Sequence, residues 1–163
     1  MVNLLKTIAL LAIALPACLC VTIKPRSSWG ATPALSDTHI DGAVDNVFLY
    51  HLNNSYNCSN EFACQTRIKY IQTDHMAHRN FSDIAYNFLI AGDGNIYEGR
   101  GWGVQGTHNP NYNNKSISIA FLGNLENSKP SNEMVQNAKD LIALAVSDGY
   151  LKENYIIRAR FNE

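Results

Sequence analysis

Five histidines, His39, His51, His75, His78 and His108, are the side chains of this sequence with the most chemistry to offer. An imidazole can ligate zinc or move a proton near neutral pH. A catalytic zinc site needs three protein ligands that converge from separated elements and leave a position open for water. His51 closes the apolar stretch VDNVFLYHLNN, where it stands as either a metal ligand or the wall of a binding groove. His75 and His78 are three apart, a spacing that lets two side chains share a helix face. No glutamate sits between them in a HExxH arrangement, so the zinc-protease motif is absent. The carboxylates suited to acid–base work are Asp83, Asp93, Glu98 and Asp140. Asp93 is explained by a turn and Asp140 by a helix surface, while Asp83 reads equally as a cap or a loop acceptor. There is no G-x-S-x-G elbow. On these residues alone the catalytic case is thin.

The binding case is fuller. Arg79, Asn80, Phe81, Tyr86, Tyr97, Arg100, Trp102, Tyr112 and Asn113 all fall at strand ends or in loops. Arginine offers a fork for carboxylates, tyrosine and tryptophan offer flat faces to sugar rings, and asparagine pairs with amides and hydroxyls. Tyr97 reads as core. The Arg100–Trp102 segment, set among glycines, reads equally as ligand-facing or structural.

These residues need elements to hold them. Val44–Tyr50 reads as a strand buried on both faces, its apolar run being Val47, Phe48, Leu49 and Tyr50. Phe62 to His78 has helical spacing, with Ile68, Ile71, His75 and Met76 inward and Arg67 and Lys69 outward. Ile84–Trp102 reads as strand, turn and strand around Asp93-Gly94, and Ser116–Asn124 as another core strand. Ser131 is suited to cap a second helix whose face carries Met134, Ala138, Leu141, Ile142, Ala145 and Val146, with Gly149 ending it. Asn154–Glu163 begins as a strand, and the stretch from Val21 to Asp37 reads as an irregular lead-in. Alternating strands and amphipathic helices predict an α/β domain, with helices flanking a central mixed sheet.

Residues 1–20 have a basic start, a short apolar centre and small residues at the end, and read as a signal peptide removed after Cys20. The domain is then 21–163, secreted and extracellular. Cys58 and Cys64 remain, in an oxidising compartment where a disulfide persists. Export also gives meaning to the glycosylation triplets at Asn53, Asn57, Asn80 and Asn114. A formal net charge of −1 gives no argument for nucleic acid or an anionic membrane as partner.

At NFSDIAYNFLIAGDGNIYEGRGWGVQGTH the sequence resembles the peptidoglycan recognition proteins of animal innate immunity, relatives of phage-type (type 2) zinc amidases. The likeness runs from RSSWGA to NYIIRAR and takes in the paired cysteines, SISIAFLGN and the second helix. It implies a groove for the muramyl sugar and its peptide stem. Catalytic members of that family hold zinc through two histidines and a cysteine. The ion polarises the lactyl amide and activates water, assisted by a tyrosine.

Carried onto this chain, the first zinc position is Tyr50, and His51 takes the following, groove-lining position. The second falls on Arg160 within Ala159-Arg160-Phe161, and the cysteine position lies past Glu163. The family's final helix would also lie there, so the domain reads as C-terminally truncated. Tyr86 matches the assisting tyrosine. The resemblance therefore implies a receptor that takes no metal cofactor and hydrolyses nothing, with the zinc amidase as alternative. Its implied ligand contacts are His51, His75, Arg79, Asn80, Phe81, Tyr86, Arg100, Trp102, His108 and Asn113. Arg79-Asn80-Phe81 resembles members preferring lysine-type stems, whereas Arg100 resembles the arginine that pairs with diaminopimelate. Implied partners are bacterial peptidoglycan or muropeptides, then sibling recognition proteins or immune receptors, with no nucleic acid and no membrane after the leader is removed.

Overall fold

The computed structural model describes residues 21–52, 57–123 and 129–160. The proposed leader, the Asn53 triplet and the last residue of the expected Ser116–Asn124 strand lie outside them. Six strands, β1 (Ile23–Lys24), β2 (Val44–Leu52), β3 (Phe88–Ala91), β4 (Ile96–Glu98), β5 (Ser116–Leu122) and β6 (Leu151–Arg160), form one sheet in the order β1-β4-β3-β5-β2-β6. Only β3 and β4 pair antiparallel, through the turn at Asp93-Gly94, where Gly94 takes φ 79°. The remaining pairs are parallel, so the sheet is mixed, as the sequence predicts.

The helices are α1 (Glu61–His78) and α2 (Asn132–Ser147). Asn60 caps α1 by accepting from the Ala63 amide at 3.0 Å, and Ser131 caps α2 by accepting from Met134 at 3.1 Å. Two apolar clusters lie on opposite faces of the sheet. Val47, Ile90, Phe121 and Leu141 belong to the α2 face, and Phe48, Leu89, Leu122 and Ile68 to the α1 face. β2, between β5 and β6, contributes to both, which explains its apolar run from Val47 to Tyr50. The Cys58–Cys64 disulfide forms at the entry to α1 with both sulfurs' residues buried.

Three boundaries differ from expectation. The lead-in is partly regular: β1 pairs with β4, and Arg26–Trp29 is a 3-10 turn. Trp29 drives this by burying its ring and donating Nε1–H to the Glu98 carbonyl at 2.9 Å. The β3–β4 hairpin is shorter than Ile84–Trp102 because side chains take over beyond it. Asn87 bridges Ser118 on β5 and the Gly101 and Val104 carbonyls, and Arg100 reaches the carbonyl of Ile84. β6 starts at Leu151 rather than Asn154 and forms a sheet edge, with Ile156 52% and Ile157 50% exposed.

Candidate functional site

Ring-to-ring contacts run without a break across the α1 face. Phe81 meets His75 at 5.5 Å between centroids, His75 meets Tyr86 at 5.9 Å, and Tyr86 meets Tyr50 at 5.3 Å. Tyr50 then meets His108 at 5.4 Å, His108 meets Phe48 at 5.4 Å, and Phe48 meets Tyr112 at 5.1 Å. Tyr86 and Tyr112 stand just before β3 and β5 and Phe48 and Tyr50 lie on β2, so the seam is built from the loops that lead into those strands and from one face of β2. Phe81, Tyr86, His108 and Tyr112 are half-buried, so their outer edges reach solvent.

Each end of the seam is fixed by its own local chemistry. Asn80, at φ 55°, is the one non-glycine with positive φ among the described residues. Asparagine tolerates that conformation, which turns the chain off α1 and brings the Phe81 amide to the His75 carbonyl at 3.0 Å. At the other end Asn113 Oδ1 accepts from the amides of His108 and Asn109, shaping the loop that carries His108. Gly106 lies beneath that ring, where a Cβ would come within 2.6 Å of His108 Cδ2.

The centre is a directed hydrogen-bond chain. Ser116 Oγ–H donates to the Tyr112 carbonyl at 2.7 Å, so Oγ can only accept from His108 Nε2–H at 3.3 Å. His108 Nδ1 is then left to accept from the Tyr50 hydroxyl at 2.8 Å. Tyr50 is 2% exposed, and its register partners are Ala120 on β5 and Arg160 on β6. The two positions that the resemblance assigns to zinc thus sit side by side on neighbouring strands. They do not fit the ion: one is a buried phenol engaged as a donor, the other a permanently cationic residue type. Among the described residues no three His, Cys, Asp or Glu side chains converge as a metal site.

The remaining candidates either turn into the fold or lie off the seam. His75 points inward and accepts from the Ala85 amide at 3.0 Å, and burial pulls its pKa down to about 4. His78 instead faces solvent beside Asp74 at 3.1 Å, so the expected shared face of the pair does not exist. Arg79 is also exposed, paired with Asp74 at 3.2 Å. His51, next to Tyr50 on a pleated strand, points to the opposite face, where its ring meets Phe121 at 5.7 Å. Burial lowers its pKa.

Trp102 is on that far face too, packed on Phe88 at 4.2 Å and stacked on Tyr150 at 5.0 Å. Arg100 is buried, donating to Ile84 O at 2.6 Å, Gln105 O at 3.1 Å and Thr107 Oγ1 at 2.8 Å, so its fork clamps loops. Asp83 is a loop acceptor, taking a 2.8 Å ion pair from Arg26 and a hydrogen bond from Gln72. Asp93 accepts from Tyr97, which is fully buried as expected.

Sequence reasoning missed Lys115 and Arg158, whose cations lie 4.8 and 4.9 Å from the Tyr112 ring centroid. The signal was available for Arg158, two residues from Arg160 and therefore at the same pleat phase on β6.

The Amidase_2 family, described as N-acetylmuramoyl-L-alanine amidase, matches residues 41–160. The chain is 43% identical over 154 residues to peptidoglycan-recognition protein SC2 of Drosophila simulans, covering 93% of this chain and 83% of that protein. It is 36% identical over 151 residues to peptidoglycan recognition protein 1 of Mus musculus, covering 92% and 82%. Among solved structures, Drosophila PGRP-SA matches with TM-score 0.82 at 38% identity, over 86% of this chain and 80% of that one. A point variant of Drosophila PGRP-LB in complex with tracheal cytotoxin matches with TM-score 0.82 at 35% identity, over 84% and 81%.

Proposed function

The chain belongs to the peptidoglycan-recognition proteins of the type 2 amidase superfamily, and from that premise we propose that it binds bacterial peptidoglycan as muramyl peptides without hydrolysing it. One observation carries the second half of this reading: Tyr50 is buried and donates to His108 where a catalytic relative would place a zinc ligand. A phenol that donates to a histidine stands in place of one of the three protein ligands by which a catalytic zinc activates water. The first half is supported by the half-buried aromatic seam from Phe81 to Tyr112, a surface suited to sugar rings and a peptide backbone. PGRP-LB, one of its structural relatives, was solved with tracheal cytotoxin bound. In this reading the protein is secreted after loss of residues 1–20, takes no cofactor, and passes its signal to sibling recognition proteins or immune receptors.

The zinc amidase remains the second reading, favoured by the family's own description and by Tyr86 standing 5.3 Å from the Tyr50 ring. Incubation with insoluble peptidoglycan separates the two. The receptor co-sediments with the polymer and releases no stem peptide, with or without added zinc. Zinc-dependent appearance of free stem peptide would establish the amidase.

A further inference from the structure

Asn46 is a buried asparagine of β2, 5% exposed, whose side chain ties down the backbone of Lys115 and the guanidinium of Arg158. Its Oδ1 accepts from Arg158 Nε at 2.9 Å, and its Nδ2 donates to the Lys115 carbonyl at 3.3 Å. Both cations then sit on the Tyr112 ring, at 4.8 and 4.9 Å. Their charges are less than about 10 Å apart, close to one Debye length at moderate salt, and so repel. Among the described residues no carboxylate pairs with either of them, and no acceptor meets Arg158 Nη1 or Nη2. Asp45 is the adjacent acid, but it accepts from the Asn46 amide and faces Lys152 at 3.9 Å.

We propose that Lys115 and Arg158, whose cations both pack on the Tyr112 ring, form a carboxylate seat at the β6 end of the aromatic seam. A planar anion answers the exposed edge of the guanidinium, while the ammonium supplies a second point charge. The seat faces the same sheet surface as Tyr50 and His108, because Arg158 is the register partner of Phe48. The identity of its ligand rests on the muramyl-peptide reading. Within that class the carboxylate comes either from the end of the peptide stem or from the lactyl group of a muramic acid whose peptide has been removed.

The test is an NMR titration of the protein with lactate and with lactamide, which share a skeleton but replace the carboxylate with an uncharged amide. Lactate shifts the Arg158 Nε–H and the Lys115 amide, lactamide does not, and R158Q abolishes the shift. K115Q, at an exposed position, weakens lactate binding severalfold without disturbing the fold. Equal shifts from both probes, or lactate shifts that survive both substitutions, overturn the proposal. N-acetylmuramic acid and a free stem peptide are then compared with their carboxamides, and the source is the one whose amidation lowers affinity about tenfold. Loss of both effects while intact muropeptide still binds rejects the seat and leaves the binding reading standing. A lactate response without any muropeptide affinity retains the seat and rejects that reading.

Discussion

Tyr50 donates its hydroxyl hydrogen to His108 Nδ1 across 2.8 Å, and the direction of that bond is decided two residues away. Ser116 has one hydroxyl hydrogen, and the Tyr112 carbonyl takes it. That bond places the His108 proton on Nε2 and makes the Tyr50 hydroxyl the donor to Nδ1. A group that would need to become a phenolate to hold zinc is thus part of a neutral chain anchored in the backbone.

Tyr50→Phe should lower stability by about 1–2 kcal/mol, because the half-buried His108 acceptor loses the donor that the buried Tyr50 supplies. Urea denaturation at neutral pH measures this as a shift in midpoint at constant slope. The variant should still bind muropeptide, since Tyr50 is 2% exposed and offers the ligand almost no surface.

Acid should destabilise the fold through His75. Its pKa falls from 6.5 to about 4 because burial penalises the charged ring. The unfolded chain therefore takes up a proton that the folded one refuses in this window, and stability falls as pH drops through it. The loss reaches up to about 3 kcal/mol by the lower limit. His51, lowered by the same cause, acts in the same direction. His75→Gln should flatten most of this dependence, which denaturation at several pH values between 7 and 4 would reveal.

Arg100→Lys should be destabilising by about 2–4 kcal/mol, although it keeps the charge. An ammonium cannot reach Ile84, Gln105 and Thr107 together as the fork does. Because those bonds already occupy Nε, Nη1 and Nη2, the wild-type protein should separate lysine-type from diaminopimelate-type stems by less than tenfold. Isothermal titration with the two muropeptides checks the second point.

Phe81→Ala should reduce muropeptide affinity about tenfold with little change in melting temperature. The ring ends the seam half-exposed, with its centroid 5.5 Å from that of His75, so a large part of it is open to a ligand.

Local chemistry was legible where it depends on neighbours in the chain. Asp93-Gly94 and Ser131 each specify a turn or cap through their own backbone, and the structure places them there. Alternation along β2 also separates Tyr50 from His51, yet that separation tells nothing of which face carries the aromatic seam. Trp102 shows the limit most clearly. Gly99, Gly101 and Gly103 break the strand pattern around it, so no periodicity could say that it packs against Tyr150 on the α2 face. Arg100 looks like a ligand fork until Ile84 and Thr107 are seen to surround it. Asn46 is the hardest case, because its two hydrogen bonds join β2 to residues 69 and 112 positions away.

The most direct test of non-hydrolytic recognition is native mass spectrometry of the 21–163 domain with zinc and a muramyl-pentapeptide. The account predicts a complex at the mass of protein plus intact ligand, unchanged by zinc and carrying no retained metal. Retained zinc together with ligand split into sugar and peptide would contradict it, and would make Tyr50 a metal ligand.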